Sequence, residues 1–283
     1  MADDIVTGER FQLLCDVWCG FPEDFQFNPV IRARATADKV MDLRSLVTEW
    51  ANPRLLFCYG HRLESLQERI HLLKNPFVLV THNSDENIIA KYLQLLESPQ
   101  LIRMFSQNPC IVHPRLSILP IGVANSMWKH GSVHVVQQIR DAPPPKSELT
   151  YFFFNILTNF TERDICKRSL QQKGLVFDRQ RPYPDYLTWL ARHLFCISPD
   201  GNGVDCHRVW ECYYCKVIPV LKRSVFTGYL EKIGLPCIVI DNWDDLRIEE
   251  LTAALYNEHA GRICSEILSL ACVAREIQNN NTY

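Results

Sequence analysis

The stretch Phe195-Cys196-Ile197-Ser198-Pro199-Asp200-Gly201-Asn202-Gly203-Val204-Asp205-Cys206-His207-Arg208-Val209-Trp210-Glu211 is the richest in side chains with a chemical use. An apolar run ends at Ser198, a glycine-containing loop follows, and helical spacing begins near Asp205. In an open α/β sheet, ligands bind beyond the carboxyl ends of strands, where helix N-termini offer N–H groups to anions. Gly201 and Gly203 let a backbone approach a phosphate closely. Arg208, one turn into the helix, can grip a diphosphate with two parallel hydrogen bonds. Glu211 follows on nearly the same face and can accept two ribose hydroxyls. A purely structural reading has Asp205 as the helix N-cap and Arg208 with Glu211 as a surface ion pair. The segment lacks the spacing of a G-x-x-x-x-G-K-[ST] phosphate loop, which argues against an NTPase.

A second strand-to-helix junction, Asn155-Ile156-Leu157-Thr158-Asn159-Phe160-Thr161-Glu162-Arg163, repeats the theme. Asn159 or Thr161 can cap the helix, but an arginine at the positive end of a helix is harder to explain by stability. Arg181-Pro182-Tyr183 offers an aromatic platform for a base. Earlier in the chain, Thr81-His82-Asn83-Ser84-Asp85 follows a wholly apolar run. Ser84 or Asp85 can cap a helix there, or Asp85 or His82 can take a proton from a hydroxyl. Pro120 to Gly131 is another strand-end loop, where Asn125, Trp128 and His130 could hold a sugar by stacking and hydrogen bonds. Core or surface roles for Trp128 and His130 are equally open.

These segments must be carried by a scaffold, and the hydropathy pattern is that of alternating strands and helices. Strands are expected at Arg54–Tyr59, Phe77–Thr81, Cys110–Val112, Ser117–Leu119, Leu149–Phe154, Leu175–Phe177, Leu194–Ser198, Val217–Leu221 and Cys237–Ile240. Helices are expected at 62–74, Glu86–Glu97, Glu162–Gln172, Pro184–His193, Asp205–Tyr214 and, with a break near 259–261, over 244–279. Short apolar strands joined by helices imply parallel sheets buried on both faces. Ala142-Pro143-Pro144-Pro145-Lys146 is the clearest linker, so the division expected is 1–145 and 146–283.

The chain has 283 residues, 47% of them hydrophobic, with 30 Lys+Arg against 32 Asp+Glu. That length suits one large or two smaller domains, and the near-zero charge gives no broad footprint for nucleic acid. The start, Met1-Ala2-Asp3-Asp4, is acidic, and no apolar stretch of about 18 residues occurs. Neither a signal peptide nor a membrane span is expected. The twelve cysteines are therefore read as reduced. Cys206, Cys212 and Cys215 with His207 form the one cluster resembling a metal site, but its spacing lacks a second pair, and small buried side chains are the simpler reading.

The residues from Phe195 to Leu221, with Ser-Pro-Asp-Gly, His-Arg-Val-Trp-Glu and Val-Ile-Pro-Val, resemble the nucleotide-sugar-binding half of exostosin-like glycosyltransferases. Leu235 to Ile240 with Asn242-Trp243 continue the likeness. Thr81–Asp85 and Pro120-Ile121-Gly122 look like the acceptor side of related, largely microbial and viral, members. The resemblance covers about residues 54–246. It implies a GT-B fold, two Rossmann-like domains facing a central cleft, with the terminal helix able to pack back on the first. It also implies inverting transfer from a UDP-sugar, xylose favoured, to a hydroxyl of a glycan or glycoprotein acceptor, with no cofactor or metal required. The absence of any Asp-x-Asp agrees with that last point.

Carried over, Arg208 and Arg163 would neutralise the departing diphosphate and Glu211 would hold the ribose. Ser198, Gly201 and Gly203 would support the phosphates, and Thr158, Asn159, Tyr183, Asp205 and His207 would complete the donor site. Asp85, or else His82, would be the base, and Asn125, Trp128 and His130 would meet the acceptor. Family members with a membrane anchor and disulfides are common; this chain departs from them and is expected in the cytoplasm, of the host for a viral member. A Rossmann dehydrogenase or epimerase would need a G-x-G-x-x-G, and none is present. A non-catalytic carbohydrate-binding protein, or a glycosidase using carboxylates such as Asp85 and Asp205, are the other readings.

Overall fold

The computed structural model describes residues 4–45, 55–264 and 266–280. The protein is α/β, with two parallel sheets in two compact units. One unit comprises Val6–Trp128 with Leu270–Tyr283; the other comprises Lys129–Ser269 with Met1–Ile5. The division thus falls before Lys129 rather than at the proline linker. The prolines at 143–145 lead into the first strand of the second sheet, inside its unit. Packing of the helix Val133–Asp141 against the helices Tyr183–Leu190 and His207–Tyr214 is what draws the boundary upstream. Ser132 starts that helix by accepting from the Val135 N–H,.

The first sheet contains β1 (Val17–Gly20), β2 (Val40–Asp42), β3 (Leu55–Tyr59), β4 (Phe77–His82), β5 (Leu101–Ser106) and β6 (Leu116–Ile118), in the order β2-β1-β3-β4-β5-β6. All five pairings are parallel. Every residue of β1, β3 and β4 is buried, so these strands read as continuous apolar runs without alternation, as strands covered on both faces must. One core layer joins Leu56, Cys58, Leu79 and Met104 to Leu63, Leu66 and Leu95. The other joins Phe11, Trp18, Phe57 and Val80 to Val273 and Ile277 of the terminal helix Leu270–Asn279. The last helix of the chain therefore completes the core of the first unit.

The second sheet is β7 (Glu148–Tyr151), β8 (His193–Ile197), β9 (Ile218–Lys222) and β10 (Ile238–Ile240), in the order β10-β9-β8-β7, again wholly parallel. Four expectations need correction. Cys110–Val112 and Leu175–Phe177 are irregular, and helical structure between β4 and β5 is confined to a 3-10 turn at Ala90–Tyr92 and the short helix Leu93–Leu96. The irregular stretch before that turn is tied to the neighbouring loop by a backbone bridge between Ile88 and Pro109. Finally, β1, β2 and β5 lie in segments whose sequence suggested no strand. Arg54 lies outside the described residues.

All twelve cysteines are free. No group of three or more His, Cys, Asp or Glu suited to a metal ion occurs among the described residues. Cys212 and Cys215 are buried in packing, and Cys215 Sγ lies 3.9 Å from the Leu187 carbonyl oxygen. No helix among the described residues is long and apolar enough to cross a membrane.

The loop before the helix His207–Tyr214 is fixed by Asp205. Its carboxylate accepts from the Trp210 indole N–H at 2.6 Å, and both residues are buried. The N-cap position itself is Cys206, without a side-chain cap bond. Asp205→Ala is expected to cost about 1–3 kcal/mol, since it strands a buried indole N–H. Chemical denaturation checks this; an unchanged midpoint would free Asp205 for a ligand role.

Candidate functional site

The carboxyl ends of β7 and β8 bring two arginines together. Arg163 stands in the first turn of the helix Phe160–Gln172, and Arg208 in the first turn of His207–Tyr214. Both guanidinium groups lie over the ring of Phe154, with Cζ 5.7 Å and 5.9 Å from its centroid. Arg163 is buried and donates through Nε to the Asp200 carbonyl (2.9 Å) and through Nη1 to the Asn155 carbonyl (2.8 Å). Nε and Nη1 of Arg208 are buried and have no hydrogen-bond partner. Neither arginine makes a salt bridge among the described residues.

Three costs coincide here. Buried cations without a salt bridge carry a desolvation cost. Burial, reinforced by the neighbouring Arg208 charge, pushes the Arg163 pKa down. A cation in the first turn of a helix also opposes the macrodipole, here twice. The two carbonyls on Arg163 and the Phe154 ring repay these terms in part. A bound anion would offset all three, drawing on two guanidinium groups and the amides of two helix starts.

The loop between them runs close to the Arg163 guanidinium. Gly201 is buried, and a Cβ there would meet Cys206 Sγ at 3.0 Å and Arg163 Nη2 at 3.3 Å, so the backbone passes directly against the guanidinium. The Gly203 carbonyl accepts from Gly201 N at 3.1 Å, closing the turn. Ser198, one residue beyond β8, has a buried hydroxyl without a partner. Asn159 holds the position before the helix Phe160–Gln172 in a left-handed conformation (φ 50°) and makes no side-chain cap bond; Thr158 is half-buried in the preceding turn.

Glu211 lies on the other side of Arg208. The surface ion pair of the purely structural reading does not form: Glu211 is buried and accepts from the Tyr186 hydroxyl at 2.8 Å. Burial raises its pKa, opposed by Tyr186 and by the Arg208 charge. Tyr183 packs on Tyr186, ring centroids 6.1 Å apart, and its hydroxyl is buried. It is therefore a wall of the Glu211 site rather than an open platform for a base. His207 meets His130 edge-on at 6.3 Å. His130, expected on the acceptor side, belongs instead to the unit that holds Arg163 and Arg208, and burial, then His207, lowers its pKa.

Tyr186, Phe154 and Asp200 carry parts of this site that sequence reasoning did not assign. Tyr186 had a signal, its three-residue offset from Tyr183 on a helix. Phe154 had none, because an aromatic at a strand end reads as core. Burial and the nearby Glu162 push the Asp200 carboxyl up to about 6, against Lys222 and Arg163, which lower it. Between its unfolded value near 3.8 and its folded value, the native state binds the extra proton. Stability from this group is present at low pH and declines as pH rises to about 6,. Asp200→Asn should then be more stable than the parent at pH 7.5, with the gap closing toward pH 4. Melting temperatures across that range check it; parallel curves would refute it.

In the other unit, His82 is buried at the end of β4 with both ring nitrogens engaged. Nδ1 accepts from the Asn83 N–H at 2.7 Å, which leaves the proton on Nε2 to bond the Pro120 carbonyl at 3.0 Å. In this arrangement His82 braces two loops and has no lone pair for a substrate proton. Asp85 is exposed on the loop after β4 and caps no helix. Asn125 is a brace as well, accepting from Glu9 N (2.8 Å) and donating to Asn83 Oδ1 (2.9 Å). Trp128 is 47% exposed.

Comparison with protein-family models and with curated proteins found no match. The geometry above is thus the basis for assigning a class: an α/β protein of two parallel-sheet units, one with two neighbouring arginines at the carboxyl ends of its strands.

Proposed function

We propose that the chain is an inverting glycosyltransferase of GT-B type, moving a sugar from a UDP-sugar, with xylose favoured, to a hydroxyl of a glycan acceptor. The single observation that carries this reading is the Arg163–Arg208 pair, two neighbouring guanidinium groups without a salt bridge among the described residues, of which Arg208 has two buried nitrogens with no hydrogen-bond partner. Such a pair suits a diphosphate, which needs charge neutralised at two phosphorus centres. Glu211, close by and hydrogen-bonded to Tyr186, supplies the acceptor atoms for ribose hydroxyls. Ser198 Oγ adds a donor for a phosphate oxygen.

The reaction is a single displacement. Asp85 takes the proton of the acceptor hydroxyl as its oxygen bonds to the anomeric carbon. The bond from that carbon to the diphosphate oxygen breaks, and its electron pair leaves with UDP. Arg163 and Arg208 meet the charge that grows on the leaving group, an interaction stronger in the transition state than before it. A glycosidase using Asp205 loses support, because that carboxylate is spent on Trp210.

Calorimetric titration with UDP, GDP, CMP and UDP-xylose, with and without EDTA, tests the reading. Saturable UDP binding that persists with chelator, followed by UDP-xylose turnover in a donor screen, is the expected result. Absence of binding to every nucleotide would overturn it.

A further inference from the structure

We infer that Phe27 and Trp128 form a saccharide-stacking platform on the Val6–Trp128 unit, one that takes the apolar face of a pyranose ring in an oligosaccharide. The two side chains are 72% and 47% exposed, and their ring centroids are 6.0 Å apart with an interplanar angle of 57°. They come from loops a hundred residues apart in sequence, and a buried polar staple holds those loops together. Glu9, 7% exposed, accepts from Asn28 Nδ2 (3.0 Å), Ser126 N (3.2 Å) and Ser126 Oγ (3.0 Å). Asn28, beside Phe27, also anchors the start of the helix Pro29–Arg32 by accepting from Val30 N at 2.9 Å. On the other loop, Glu9 N donates to Asn125 Oδ1, and Trp128 N closes a turn onto the Asn125 carbonyl at 2.9 Å.

Burying a carboxylate is costly, and here the result is a fixed spacing between two aromatic rings left at the surface. Rings carried on two loops tied together give stacking area without reordering of the loops on binding. Its extent decides the partner class. Two such residues bury about 150–250 Å² each at most, well short of the roughly 800 Å² per partner that a stable protein interface takes. One sugar ring matches that area, and the exposed Gln26 and Ser126 alongside suit its hydroxyls. Naming the bound sugar as the acceptor rests on the proposed transferase reading; the platform itself does not.

The test uses the full chain and three probes, short xylo-, cello- and chito-oligosaccharides, followed by tryptophan fluorescence and by calorimetry, with a parallel UDP titration. Saturable binding of at least one probe is expected. It should weaken about tenfold in Phe27→Ala and in Trp128→Ala, the scale of one lost aromatic contact, and be largely kept in Trp128→Phe. UDP affinity and melting temperature should stay at parental values in all three variants. Binding of no probe by the parent protein, or unchanged binding in both alanine variants, overturns the platform. So does a shift from dimer to monomer in those variants on sedimentation, which would make the surface a self-association face. Saccharide binding without UDP binding would instead overturn the transferase reading and leave the platform standing.

Discussion

Arg208→Ala is expected to lower kcat by ~10²-fold or more, the size of effect seen when one preorganised electrostatic donor is removed from a site of developing charge. The expectation follows from what Arg208 lacks. Its Nε and Nη1 are buried and bond to nothing in the protein, so removing the side chain breaks no hydrogen bond of these atoms, only the contact with the Phe154 ring and the charge facing Glu211. Loss of function in a folded sample would then report on the ligand and not on the fold. The variant also leaves the buried Glu211 without the facing Arg208 charge, so a lower melting temperature is expected and is read beside turnover in a folded sample,. UDP affinity should fall together with turnover. Arg208→Lys should recover only part of the loss, since a point charge cannot make two parallel bonds. Turnover near the parental value in Arg208→Ala would remove the argument for a diphosphate at this site.

Asp85→Asn should abolish sugar transfer, a loss of ~10²–10⁴-fold if the carboxylate is the general base, while UDP affinity stays unchanged. The assignment comes from comparing the two expected bases. His82 is held between Asn83 N and the Pro120 carbonyl, so recruiting it would break two loop contacts. Asp85 lies on the adjoining loop and is exposed. His82→Gln should accordingly lower stability more than it alters the pH profile of transfer. Initial rates with saturating UDP-sugar, paired with nucleotide titration of each variant, separate the cases. Loss of UDP binding in Asp85→Asn would return Asp85 to a structural role.

Much of this protein is determined locally. Arg163 and Arg208 stand out in the sequence because each follows an apolar run and opens a helix, where a cation works against the helix dipole. The buried strands β3, β4, β8 and β9 are legible for a similar reason, since a strand covered on both faces must be apolar throughout. Where that condition lapses, so does the signal. Val17–Gly20 is four residues long and β5 carries Arg103 within it; Glu86–Glu97 has helical spacing, yet its first residues serve a bridge to the neighbouring loop.

Tertiary structure decided the rest, because it depends on groups distant in sequence. Only packing could commit Asp205 to an indole, lay both arginines against Phe154, and place Tyr186 on Glu211. It moved His130 out of the expected acceptor side, since the contacts of the helix Val133–Asp141, not the prolines after it, set the boundary between units. It also turned Asn125 and Glu9 into a staple under two exposed aromatic rings. Residue types and spacing determine which charges the chain must accommodate; which of them find partners, and which are left for a ligand, is settled by the energetics of burial across the whole fold.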